Sequence, residues 1–312
     1  MLFKNLILYR LPQDWTEVPA DLELKLADRC LFPCAPFEMQ SRGWIDASPA
    51  QRLMHTIEQQ RLIALGVEQK LLPSSVIRQV VVERAAKFTE DQGFPCGRKQ
   101  LRDLRLAVTE ELKSRALSRR TSTLAWIDGE DRWFAVNAAS AKRAEDVIDV
   151  LRNTIGSFAA VPLGTERSPA MSMAQWLHAG AAPNGFTLDD SLELRAGDKS
   201  PAVIRYTQCA PESRELRARL AAGMLPTRLG LTWNGRISFV LTDKLVLKQI
   251  EFLELADQPP ADDDPELDPV ERFDAELLLM SGELRKLIAD LIDALGGETA
   301  APALVPTAAA AA

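Results

Sequence analysis

The stretch "TSTLAWIDGEDRWFAVNAASAKRAEDVIDVLRNTIGS", residues Thr121 to Ser157, carries the pattern on which the fold reading turns. Leu124 and Trp126 precede the polar turn "DGEDR" and Trp133 to Val136 follow it, which predicts a β-hairpin. Ser140 then stands at a helix N-cap position. Ala144, Val147, Ile148, Leu151 and Ile155 recur at helical spacing up to Gly156. A strand, a turn, a strand and an amphipathic helix point to antiparallel pairing with a helix laid over one sheet face. That is an α+β arrangement, not a doubly wound nucleotide fold.

The flanking sequence extends this pattern in both directions. Upstream, Phe3 to Leu11 reads as a strand, and Leu22, Leu26 and Cys30 are spaced for a helix. Gly43 to Asp46 and Arg61 to Pro73 read as strands of the same sheet. From Ser74 or Ser75, read as an N-cap, a helical pair runs to Arg120, broken by "TEDQGFPCG". Its second helix carries Leu101, Leu104, Val108 and Leu112 on one face. Downstream, "MSMAQWLHAG" to "ELRAG" reads as a short helix, a loop and a short segment. Ala202 to Cys209 reads as a strand, and "APESRELRARLAAGM" as a helix ended by Gly223. Arg228 to Leu241 is the clearest hairpin, with Asn234-Gly235 as a type I′ turn signal. A third strand follows in "KLVLKQIEFLEL". Then come an acidic, Pro-rich connector from Pro259 to Pro269, a long helix, and a low-complexity tail.

The chain has 312 residues, 46% hydrophobic and 26% charged, which suits a globular protein with more than one packed core. No apolar run reaches the roughly 18 residues of a membrane helix, so no membrane partner is expected. The N-terminal "MLFKNLILYRLPQDW" is too soon interrupted by charge for a signal peptide, which makes the cytoplasm the expected compartment. Cys30, Cys34, Cys96 and Cys209 are expected to be buried or idle thiols. "CLFPC" lacks the further ligands a structural zinc needs, so no metal and no cofactor are expected.

Charge is unevenly placed. Net charge is −7, but Glu251 to Glu298 holds 15 acidic and 3 basic residues, which leaves the rest near +5. Lys70 to Arg120 holds 12 basic and 6 acidic residues. Two basic features stand out. In the hairpin, Leu229, Leu231, Trp233, Ile237, Phe239 and Leu241 alternate with Arg228, Thr232, Asn234, Arg236 and Ser238. Period two puts the first set in the core and the second on an open face, which Lys244 and Lys248 on the next strand would join. In "KSRALSRR", Lys113 to Arg120, four cations fall at a helix end, where they also complement the helix dipole. Both features suit phosphate contacts without sequence readout; neither resembles a recognition helix or an aromatic RNA-binding sheet.

No catalytic constellation is evident. Phosphate-binding glycine loops and a nucleophile elbow are missing. Glu111 and Lys113 have the spacing of a nuclease metal pair but lie in a helical pattern, and Asp262 to Asp264 reads as a solvated charge run. No catalytic residue is expected.

The motifs "MLFKNLILYRL", "LPSSVIRQ", "RALSR", "WID", "ASAKRAEDVIDVLRNTIGS", "VPL", "RISFVL" and "ERFDAELLLMSGELRKLIADLIDALGGE" resemble, in order from Met1 to about Glu298, the bacterial recombination-associated RdgC family. The resemblance implies a non-enzymatic, cytoplasmic and nucleoid-associated protein that forms a ring-shaped homodimer around duplex DNA. It further implies little sequence preference, contact with single strands as a further possibility, and antagonism of the RecA recombinase.

On this reading residues 1–73, 121–165 and 225–258 build the central sheet region, and 74–120 form a helical tip. Residues 166–224 form a base or connecting region, 259–298 an acidic linker with a base helix, and 299–312 a disordered tail. Leu277, Leu284, Leu287, Ile288 and Leu291 would supply an isologous base contact. The residues expected to contact DNA are Lys4, Arg115, Arg119, Arg120, Arg205, Arg228, Arg236, Lys244 and Lys248. Two departures accompany the resemblance: Arg120 stands where the family has an aromatic residue, and "YTQCA" follows Arg205 where the family carries lysines. The competing readings are an inhibitor that binds a recombination enzyme without touching DNA, and a metal-dependent nuclease.

Overall fold

The computed structural model describes residues 2–12, 19, 21–197, 202–207, 214–253 and 268–299. The Pro-rich connector, Asp262 to Asp264, Cys209 and the C-terminal tail lie outside the described residues. The fold is α+β, with a large antiparallel sheet and seven described helices.

Strand β1 (Asn5–Arg10) joins two half-sheets. Its first residues pair with β12 (Leu247–Phe252), through Asn5 opposite Lys248 and Leu6 opposite Leu247. Its later residues, Ile7 to Arg10, pair with β6 (Trp133–Val136), and Tyr9 and Arg10 also pair with β7 (Val161–Pro162). The N-terminal half-sheet continues from β6 through β5 (Ser118–Asp128) and β4 (Gln60–Lys70) to β2 (Gln40–Ile45) and β3 (Met54–Ile57), both of which pair with β4. The C-terminal half-sheet continues from β12 through β11 (Ile237–Thr242), β10 (Leu225–Trp233) and β8 (Phe186–Arg195) to β9 (Val203–Tyr206).

Helices cover the two half-sheets differently. On one side, α5 (Pro169–Ala179), α6 (Arg214–Ala221) and the long α7 (Pro269–Ala294) share a core with both halves; Leu62, Trp126, Leu229, Phe239 and Leu284 all belong to it. On the other side, α1 (Leu22–Ala27) and α4 (Ala141–Ile155) cover only the N-terminal half. Ala144, Val147, Ile148 and Leu151 meet Ile63, Ile127 and Phe134 there. No described helix covers the matching face of the C-terminal half.

The opening stretch thus forms the centre of the N-terminal half, and its hairpin and helix are those expected. Its first strand is longer than predicted and starts at Ser118. The second arm helix therefore ends at Arg115, and Arg119 and Arg120 lie on β5 rather than on a helix end. Continuous pairing from Lys70–Ser118 to Gln60–Asp128, with β-branched Thr121 and Thr123 in the ladder, overrides the helical run of the preceding residues.

The predicted helical pair is an arm: α2 (Ser74–Gln92) and α3 (Arg98–Arg115) pack on each other, with an Arg84–Glu111 ion pair of 2.7 Å and an edge contact between Phe88 and Phe94. The N-cap of α2 is Pro73, not Ser74 or Ser75. Pro73 has a fixed extended backbone and no donor to lose, and so precedes a helix readily. Within the arm only Val108 of the predicted face is fully buried. Three strands escaped the sequence reading, the two-residue β7 among them. β3 is short, and β8 is interrupted by Asp189 and Asp190, which break its alternation. The C-terminal hairpin follows expectation: Asn234 and Gly235 both have positive φ, 48° and 68°, as a type I′ turn requires.

Helix α7 corrects a second expectation. Leu277, Leu284, Leu287, Ile288 and Leu291 are each 0 or 1% exposed inside the protomer, so they are not available for a contact between protomers. Polar anchors fix the helix across the whole sheet. His55 on β3 contacts Asp274 at 2.5 Å, Trp233 Nε1 donates to Asp290 at 2.8 Å, and Asn184 Nδ2 donates to Asp293 at 2.8 Å. Arg285 meets Asp128, Glu130 and Asp131 in the hairpin turn of the opening stretch.

Candidate nucleic-acid interface

The open face of the C-terminal half-sheet is built by alternation. Leu229, Leu231, Phe239, Leu241 and Leu247 point into the core, and Arg228, Thr232, Ser238, Val240 and Lys248 point away from it. Where this face meets the N-terminus of α4, a groove of about 440 Å³ opens. Arg195, Arg228, Lys244 and Lys248 line it, together with Ser140 and Ala141 at the start of α4 and the carboxylates of Glu145, Glu193 and Asp243. A helix start offers unpaired N–H groups and the positive end of the helix dipole, which adds to the attraction of those four cations for an anion.

The face is not purely basic. Glu193, also in the groove lining, is 6% exposed and accepts from Arg205 Nε at 2.8 Å and Thr227 Oγ1 at 2.9 Å, with Arg228 4.0 Å away. Burial pushes the Glu193 carboxyl up, but the bonds from Arg205 and Thr227 and the charge of Arg228 outweigh it and hold it below the usual carboxylate range. One carboxylate therefore orients two arginines. Their outer faces remain free for a second anion, since Arg205 is 73% exposed and Arg228 47%. Asp189 accepts from Thr232 on the same face, and Glu251 lies opposite Ser238.

Nine positions were expected to touch DNA, and the structure sorts them into three places. Arg205, Arg228, Lys244 and Lys248 lie on or beside the open face. Lys244 is in the turn between β11 and β12, not on the strand, because Leu245 reverses the chain with a φ of 55°. Exposed Lys4 lies just before β1 beside β12, its carbonyl accepting from Ile250 N at 2.9 Å.

Arg115, Arg119 and Arg120 gather at the root of the arm. Period two sends Arg119 to the side of Ala125 and Ile127, and Arg120 to the side of Trp126. Arg120 Nε donates to Glu68 at 2.6 Å, and that bond, followed by one from Ser118, holds the Glu68 carboxyl below its usual range.

Arg236 lies elsewhere. It reaches back from the hairpin turn to Glu283 on α7 at 3.1 Å and is set apart from the open-face cations. Arg195 was not singled out in the sequence, because its strand was read as a short segment. Its signal was present, as Leu192 and Leu194 alternate with Glu193 and Arg195.

Glu111 is held by Arg84 and Lys113 by Glu110 at 2.6 Å, so neither is poised on a metal. Among the described residues no group of three or more His, Cys, Asp or Glu side chains is placed to hold a metal ion. Cys30, Cys34 and Cys96 are free and half-buried. No described helix is long and apolar enough to cross a membrane.

A protein of this class, with a wide antiparallel sheet, one open cationic face and a protruding helical arm, has counterparts in sequence. Residues 1–298 match the family model described as "Putative exonuclease, RdgC". A curated protein of Dechloromonas aromatica, named recombination-associated protein RdgC, is 44% identical over 301 residues, covering 96% of this chain and 98% of its own. Proteins of the same name from Cupriavidus pinatubonensis and Herminiimonas arsenicoxydans are 41% and 40% identical, each covering 96% of this chain and 99% of its own. The chain belongs to the RdgC family. The family description names an exonuclease, while the curated relatives are named for recombination.

Proposed function

We propose that this protein is a non-enzymatic, sequence-independent DNA-binding protein. It works in the cytoplasm at the nucleoid, as a homodimer that closes a ring around duplex DNA and restrains RecA-dependent recombination by competing for DNA. The observation that carries the DNA-binding part is the open half-sheet face, where Arg195, Arg228, Lys244 and Lys248 converge with the N-terminus of α4. Cations without base-reading geometry bind phosphates by releasing counterions, whatever the sequence. The ring and the antagonism of RecA rest on the resemblance, and the relatives' names support a place in recombination. The arm supports a two-fold contact, because Phe94 at its tip and Val82 and Leu106 midway along its helices are more than half exposed. With Leu277, Leu284, Leu287, Ile288 and Leu291 committed to the core, a base contact uses other surfaces, such as the outer side of α7 around half-exposed Leu279.

Fluorescence anisotropy with two unrelated labelled duplexes tests this reading. Similar affinities are expected, falling with salt at a log–log slope near about −5 if about 6 phosphates are neutralised. Absence of binding at low salt contradicts it and favours an inhibitor that acts through protein contacts alone. Arg228→Ala is expected to weaken both duplexes alike and to reduce the slope by about 1. Arg236→Ala is expected to leave the slope unchanged, since that side chain is engaged with α7.

A further inference from the structure

We propose that the loop from Cys30 to Met39, with the root of the helical arm, is a stacking site for unpaired bases of single-stranded nucleic acid. This rests on the DNA-binding reading above and adds to it a second site that distinguishes unpaired from paired strands.

Phe32 and Phe37 on this loop are 69% and 70% exposed, and Leu117 and Leu71 at the arm root beside it are 79% and 52% exposed. Such side chains on a slack loop would fold back and bury themselves. This loop is tied down along its length. Ser41 Oγ donates to the Phe32 carbonyl at 2.7 Å, and Lys70 Nζ donates to the Ala35 and Pro36 carbonyls at 2.6 and 2.7 Å. Cys34 N donates to Glu68 Oε1 at 3.3 Å, and Ala35 N donates to Glu38. Pro33 and Pro36 restrict the backbone further. The two phenyl rings are therefore carried in water by a fixed frame.

The charge around them selects the occupant. Glu68, which holds Cys34 with one carboxylate oxygen, holds Arg120 with the other, so a 63% exposed arginine stands beside the loop on the same side of β4 and β5. Arg119 follows on the opposite side of β5, and Arg115 ends the helix two residues before Leu117. Neither Arg115 nor Arg119 has an acidic partner among the described residues. Aromatic faces set among cations of one sign fit a polyanion whose units carry π-faces. An apolar peptide would leave Arg115 and Arg119 unmatched, and Arg120 would keep only its bond to Glu68. Bases in a duplex are stacked on one another and offer no face, so only unpaired bases can occupy the site.

The test uses the full chain, an oligo-dT of about 20 nucleotides with one internal 2-aminopurine, and a blunt duplex of the same length. The unmodified protein is expected to bind the oligo-dT and change the 2-aminopurine emission. Phe32→Ala/Phe37→Ala is expected to lower oligo-dT affinity by about 10- to 100-fold and abolish the emission change, with duplex affinity within about two-fold. Both side chains are exposed, so an unchanged melting temperature verifies the fold. Equal oligo-dT affinity of the variant and the parent overturns the proposal, as does an equal loss for both DNAs or parent protein that binds the duplex alone. Parent protein that binds neither DNA overturns the DNA-binding reading as well.

Discussion

Replacing Arg285 by alanine is expected to lower the unfolding free energy by about 3 kcal/mol, because it leaves a carboxylate buried without its cation. Asp128 is 0% exposed and ends the central strand β5. It accepts from Gln60 Nε2 and from the Glu130 amide, and its second oxygen has Arg285 Nε at 3.2 Å as its charged neighbour. Burial pushes the Asp128 carboxyl up, and the Glu130 amide, Gln60, the Arg285 charge and the Asp131 amide act against that without cancelling it. The sign of the pH dependence follows. A carboxyl whose folded pKa is raised makes the native state the better proton binder, so its contribution to stability falls as pH rises through the carboxylate range. Loss of Arg285 raises that pKa further. The deficit of the variant is therefore expected to be largest near neutral pH and to shrink in acid, where Asp128 is protonated. Urea unfolding of both proteins at neutral and acidic pH checks this; a deficit independent of pH contradicts the assignment.

The second large effect is expected on binding. Lys244→Glu/Lys248→Glu changes the charge of the groove by four per protomer, since each substitution replaces a positive charge by a negative one. Lys244 is exposed and Lys248 half-buried, so the stability change is expected to stay within about 1 kcal/mol. Duplex affinity at low salt is expected to fall about 100-fold, with a salt slope shallower by about 2. Lys286→Glu, which changes the charge by two, is the control and is compared with either single lysine variant of the groove. Lys286 lies on α7, on the covered side of the sheet, and is 64% exposed. An equal loss for Lys286→Glu would mean that net charge, not the open face, governs binding.

Much of the fold was legible because period-two and helical patterns are local. Leu229, Leu231, Trp233, Ile237, Phe239 and Leu241 were read as core, and all are at most 3% exposed. The stripe of α4 was read correctly from Ala144 to Leu151 for the same reason. What was lost depends on partners distant in sequence. Arg119 and Arg120 read as a helix end until the pairing with Gln69 and Glu68 is seen. The α7 leucines read equally well as an interface or a core, since amphipathicity shows a face and not what covers it. Arg236 alternates correctly with its neighbours but sits in the turn, where Glu283 on a helix 47 residues away captures it. The candidate groove was legible in part. Its lysines and Arg228 were found, but its shape needs the start of α4 brought against β12, which no local pattern encodes.

The most direct test of the central claim is a lysine-acetylation footprint of the full-length protein with and without saturating duplex DNA, read by mass spectrometry. The account predicts that DNA protects Lys244 and Lys248 while Lys286, on the α7 side, reacts as before. Protection of Lys286 with Lys244 and Lys248 unchanged would place the DNA on the other face and contradict it.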